Sequence, residues 1–133
     1  LGERLELIPY LPRREALAMQ RDSEALLLLI PHAQGRGRGV LSGKVFEYLA
    51  AERPILALVP PSGEAARLIA STGMGEIVDP ADADGTAAAL QRLVDQHRDG
   101  RAIPVALTPE HRRALARRTR ATEFKQLFEE LIA

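Results

Sequence analysis

The sequence has no cysteine and no net charge across its 133 residues. Without cysteine there is no disulfide frame and no thiolate metal site, and a reducing, cytoplasmic setting is the expectation. The three histidines, His32, His97 and His111, do not fall at i, i+4, so a helical zinc pair is excluded as well. Eighteen Lys plus Arg balance eighteen Asp plus Glu, so no global field draws the chain to nucleic acid or to an anionic membrane, and any anion has to be caught locally. No apolar run approaches the ~20 residues that span a bilayer, and the opening shows no basic stretch followed by an apolar one. An initiator methionine is also lacking, and an opening at Leu1-Gly2-Glu3 is what a piece of a longer protein would show. What is present is 46% hydrophobic and 27% charged residues, enough for one globular domain that buries roughly two-thirds of its unfolded surface.

The apolar residues alternate between two patterns. Residues 5–10 (LELIPY) read as a half-buried strand, Pro9 and Pro12 bracket a turn, and the charged, Ala-rich residues 13–21 read as a helix. Residues 25–30 (ALLLLI) have no polar face, as expected of a parallel strand covered by helices on both sides, and Pro31 ends it. A Gly-rich basic loop follows over residues 32–39. Ser42 then caps a helix with Val45, Phe46 and Leu49 in one stripe, stopping near Pro54. Residues 55–59 repeat the uninterrupted apolar strand. Residues 64–71 form a short helix with Ala65, Leu68 and Ile69 inward, residues 76–78 a short strand, and residues 86–97 an amphipathic helix carrying Leu90 and Leu93. Asp79, Asp82 and Asp84 have a spacing that fits no EF-hand, and helix capping by Asp84 or Thr86 is the expectation. Thr108 and Pro109 start one or two terminal helices that run to Ala133.

This alternation predicts an α/β fold: a Rossmann-like open parallel sheet with flanking helices, incomplete at about four strands, plus C-terminal helices. Residues 1–107 form the partial sheet domain, and residues 108–133 a helical segment packing on it or on a domain outside the chain. Losing neighbouring strands exposes a sheet edge, so the first strand is expected either to move against the second or to leave the edge to self-association. Arg112, Arg113, Arg117, Arg118 and Arg120 make the terminal segment basic, but without interleaved aromatics they read as a solvated or inter-domain face and not as a nucleic-acid site.

Ligands of open α/β sheets bind at the carboxyl ends of the strands, and the loop after residues 25–30 is the unusual one: PHAQGRGRGVLSGKVFEYLAAERP. Its glycines let backbone approach a ligand, and free amides at a helix start favour phosphate. His32, at the end of that strand, and Arg36 and Arg38 are candidate sugar or phosphate contacts, weighed against a solvated mobile loop. A P-loop is excluded, because three residues separate Gly39 from Gly43 and Val45 follows Lys44. A dinucleotide fingerprint would need glycine where Val40 or Ser42 stands. Lys44 and Glu47 lie three residues apart on one helix face, so a carboxylate could take ribose hydroxyls while the helix start holds a diphosphate. The bland alternative is a surface Lys-Glu pair. Sixteen of the eighteen basic residues are Arg, which makes lysine at 44 an uncommon choice here.

The run GKVFEYLAAERPILALVPPSGEAARLIASTGMGEIVDPAD resembles the carboxyl-terminal, nucleotide-sugar-binding domain of GT-B-fold glycosyltransferases of the "group 1" type, and the resemblance spans about residues 5–131. It implies that Glu47 holds the donor ribose. It likewise implies that backbone amides of Gly39, Val40, Leu41 and Ser42, with Lys44 nearby, cradle the pyrophosphate, and that Pro9, Tyr10 and Leu11 form the loop against which the base packs. Gly39 stands where the family carries a first glutamate, eight residues before Glu47, and Glu52-Arg53 stand where a glycine is common. A non-glycine there costs about 1 kcal/mol if the helix ends left-handed. The resemblance implies a nucleotide sugar as substrate, no cofactor or bound metal, and a missing N-terminal acceptor domain, so this chain alone is expected to be inactive. A full-length enzyme would be cytoplasmic or membrane-peripheral. A nucleotide-sugar epimerase of the same fold, or a noncatalytic α/β module that binds a protein partner, are the alternatives.

Overall fold

In a computed structural model, which describes residues 5–31, 37–101 and 105–132, the chain builds a small parallel sheet. Its strands are β1 (Leu26–Leu29), β2 (Ile55–Leu58) and β3 (Gly75–Val78), in the order β1-β2-β3. Leu27 registers with Leu56, and Leu56 with Glu76. The crossovers are helical, through α2 (Gly43–Ala51) and α3 (Glu64–Thr72). Both step across the sheet in the same direction, and right-handed crossovers then place both helices on one face. There Leu28, Ile55, Ala57 and Val59 pack with Val45 and Leu49 of α2 and with Ala65, Ala66 and Ile69 of α3. On the opposite face Leu56 and Val78 meet Ala89 of α4 (Ala83–Arg98). Helix α1 (Arg13–Asp22) lies beside α2. Of the two terminal helices, α5 (Pro109–Leu115) packs Leu115 against the α2–α3 core, while α6 (Arg117–Ile132) is in contact mainly with α5.

Several local expectations hold. Thr108 caps α5 by accepting the His111 N–H at 3.1 Å, with Pro109 next in the chain. Helix α2 ends left-handed at Glu52, φ 52°, whose N–H donates to the Leu49 carbonyl. The strained residue is a glutamate because its carboxylate meets Arg112 of α5 at 2.7 Å, a tie between two helix ends that glycine could not make.

Four expectations are corrected. Among the described residues the sheet has three strands and not four: residues 5–12 form no strand, and Tyr10 is 93% exposed. A strand needs a ladder partner, none pairs with this segment among the described residues, and Pro9 and Pro12 have no N–H to offer one. Strand β1 is covered on one face only. Leu26 and Leu28 are buried, but Leu27 and Leu29 are 57% and 61% exposed, because α4 lies over β2 and β3 and stops short of β1. Phe46 sits at the edge of its stripe and is 39% exposed, whereas Val45 and Leu49 are buried. Finally, α4 starts three residues before the predicted Thr86 and is capped by Asp82, whose Oδ1 accepts the Gly85 N–H at 2.8 Å; Thr86 instead donates its hydroxyl to the Asp82 carbonyl.

Candidate functional site

At the carboxyl end of the sheet the loops after β1 and β2 lean on each other. His32 and Arg36 lie outside the described residues. From residue 37 onward the Gly-rich loop is a folded turn, the Val40 N–H donating to the Gly37 carbonyl at 3.1 Å. Its next contact serves α3: the Arg38 carbonyl accepts the N–H of Glu64, the first residue of that helix, at 2.7 Å. Gly63 makes this approach possible, since a Cβ there would stand 3.1 Å from the Arg38 carbonyl oxygen and 3.0 Å from that of Pro60. One orphan amide of α3 is thus satisfied from within the protein.

The start of α2 differs. Ser42 is its N-cap in extended conformation, and its side chain accepts no hydrogen bond from the first turn. The Val45 N–H donates to the Ser42 carbonyl at 3.1 Å, and the Gly43 and Lys44 amides ahead of it keep their partial positive charge for another acceptor. Gly39, Val40, Leu41 and Ser42 lead directly into it, and Lys44, exposed in its first turn, makes no ion pair among the described residues.

Glu47 follows one turn later, and its partner is not Lys44. Its Oε1 meets Arg13 Nη2 at 2.9 Å, and the Glu47 side chain is 28% exposed. The pairing comes from packing: α1 runs along α2 and sets its first residue beside the second turn of α2. Pro9, Tyr10 and Leu11 immediately precede α1, whose N-cap is Pro12. The structure therefore brings Arg13, Glu47 and Gly43 at the start of α2 to one groove, leaves the Arg38 backbone beside α3, and leads residues 9–12 into α1 with no turn between Pro9 and Pro12.

Between these elements and α6 runs a groove of about 650 Å³. Arg13, Glu47 and Gly43 line it toward α1 and α2, Leu17 and Phe46 supply apolar wall, and Arg117 and Arg120 close the far side. Of its three guanidiniums Arg13 pairs with Glu47 and Arg120 with Glu123, both at 2.9 Å, and Arg117 makes no ion pair among the described residues. Such a set favours anions, and guanidinium matches phosphate in a fork that ammonium cannot form. Sequence reasoning missed Arg13, because nothing local marks a residue whose role depends on a helix packed beside it. Arg117 and Arg120 are exposed, as the solvated or inter-domain face expected of the terminal segment requires. Among the described residues no cluster of His, Asp or Glu could hold a metal ion, and no helix is long and apolar enough to cross a membrane. Comparison with known proteins finds no matching family, no similar curated protein and no similar solved structure.

Proposed function

We propose that the chain is the donor-binding part of a glycosyltransferase that uses a nucleotide sugar. The observation that carries this is the Arg13–Glu47 pair beside the uncapped start of α2, at the end of a parallel sheet where such folds bind ligands. Arg13 holds Glu47 Oε1, and Oε2 is left to accept ribose hydroxyls. The amides that open α2 and the side chain of Lys44 receive the diphosphate, and the exposed ring of Tyr10 gives the base a surface to stack on. In glycosyl transfer an acceptor nucleophile bonds the anomeric carbon and gives up its proton, while the bond from that carbon to the diphosphate oxygen breaks and the leaving diphosphate takes the electron pair. Amides and guanidiniums aimed at that growing charge are what lowers the barrier. The acceptor and the remaining sugar contacts belong to a domain outside this chain, so the chain alone binds donor without turning it over. The nucleotide sugar is substrate, and no resident cofactor enters.

A thermal-shift series with UDP, GDP and ADP tests this. Ligand at ten times its Kd stabilises by about 1.4 kcal/mol, and the expected result is a raised Tm with at least one diphosphate that disappears in Glu47→Gln. The same shift in Glu47→Gln, or none with any nucleotide, contradicts the proposal. A noncatalytic interaction module is the second reading, favoured by the uncovered Leu27 and Leu29, and it predicts no nucleotide response at all.

A further inference from the structure

We propose that α6 pairs antiparallel with the α6 of a second copy of this chain. Residues 120–132 are exposed throughout. At 100° per residue Phe124, Leu127, Phe128 and Leu131 stand in one stripe, and they are 63%, 52%, 59% and 73% exposed. The rings of Phe124 and Phe128 touch each other, with centroids 6.1 Å apart, and find no other aromatic partner among the described residues. A solvated helix of this length is marginal without a packed face. Ala121, Phe124, Phe128 and Leu131 follow the 3-4-3 spacing of a two-helix seam.

Charge selects the occupant and the direction. The first turn of α6 carries Arg117, Arg118 and Arg120, and the rest carries Glu123, Glu129 and Glu130 against a single Lys125. There is no acid in the first turn and no base in the last. This is the reverse of what a solitary helix prefers, since its own dipole favours acids at the start and bases at the end. A second copy laid antiparallel resolves the conflict at both ends, because each basic start meets an acidic end; a parallel copy sets like against like. The pattern is self-complementary, which is the requirement of a two-fold interface. With the helices fully overlapped about an axis near Lys125, Arg120 falls opposite Glu130 of the second copy. On the helical wheel Arg120 falls inside the stripe, between Leu127 and Leu131, and Glu123 and Glu130 lie just beyond its Leu127 edge, within reach of a long guanidinium from the second copy. In the single chain Arg120 bonds Glu123 at 2.9 Å in solvent, so changing partner loses little.

Sedimentation equilibrium of the chain from micromolar to millimolar concentration reads the result. A monomer–dimer equilibrium is expected, weakened about tenfold by Arg120→Glu or by Glu130→Arg and restored when both are combined. Because the chain has no cysteine, a single introduced one reports direction: on oxidation Phe124→Cys, in the stripe and next to the axis, cross-links the dimer, and Leu131→Cys, near a helix end, does not. A chain that stays monomeric, equal cross-linking at both positions, or a charge swap that fails to restore the dimer overturns the proposal. So does a dimer lost in Leu29→Lys but kept in Phe128→Asp, which would put the contact at the β1 edge.

Discussion

Gly75→Ala tests how tightly the parallel sheet is closed. Gly75 opens β3 in register with Ile55 of the central strand. A Cβ built on it would overlap the Ile55 carbonyl oxygen and stand 2.9 Å from Ile55 Cβ. Ile55 cannot retreat: it is 1% exposed and registers on its other side with Leu26 of β1. Relief must come from β3, which would swing away from β2 and stretch the bond from the Ile55 N–H to the Met74 carbonyl, now 3.0 Å, while lifting the fully buried Met74. One weakened backbone bond contributes about 0.5 to 1.5 kcal/mol and overpacking about 1 to 3 kcal/mol. The sum is about 1.5 to 4.5 kcal/mol, or roughly 10 °C in Tm for a chain of this size. Thermal and urea unfolding followed by far-UV circular dichroism measures it. A Tm within about 2 °C of the parent would show that β3 is free to move and that the close approach is not what positions it.

Three further outcomes follow from named contacts. Glu52→Ala keeps the left-handed strain and loses Arg112, whereas Glu52→Gly loses the ion pair but relieves the strain, so urea titration should find the glycine variant more stable than the alanine one by about 1 kcal/mol. Gly63→Ala should push the Arg38 carbonyl from the start of α3, seen as faster hydrogen exchange at the Glu64 amide while the amides of β2 are unchanged. Arg13→Ala removes a pair that is largely solvated, so its Tm should fall by no more than an exposed ion pair of about 0.2 to 1 kcal/mol allows, while isothermal titration finds nucleoside diphosphate bound more weakly.

The elements that were legible are those whose determinants are local. The apolar runs at 25–30 and 55–59, bounded by proline, became β1 and β2, the predicted helix at 13–21 became α1 with one residue added, and the Thr108-Pro109 start of α5 was visible because cap and proline are neighbours. What could not be seen depends on a second element. Residues 5–10 alternate as a strand does, but a strand exists only beside another. Four identical leucines in β1 hide the fact that α4 leaves two of them uncovered. Asp82, Asp84 and Thr86 all qualify as caps within five positions, and the backbone turn at Asp79 to Asp82 decides among them. The partners of Glu47 and Glu52 lie 34 and 60 residues away, Arg13 before the one and Arg112 after the other, and they are brought in by helix packing.

Titration of the 15N-labelled chain with UDP, GDP or ADP, followed at every backbone amide, tests donor binding most directly. The expected result is saturable shifts for one of these diphosphates, concentrated at Gly39, Val40, Leu41, Ser42, Gly43 and Lys44 and at Tyr10 and Arg13, with β3 and α4 silent and the response abolished in Glu47→Gln. Shifts confined to the arginines of α5 and α6, reproduced by inorganic pyrophosphate and indifferent to Glu47→Gln, would contradict it, because the groove would then be a general anion surface and Glu47 only the partner of Arg13.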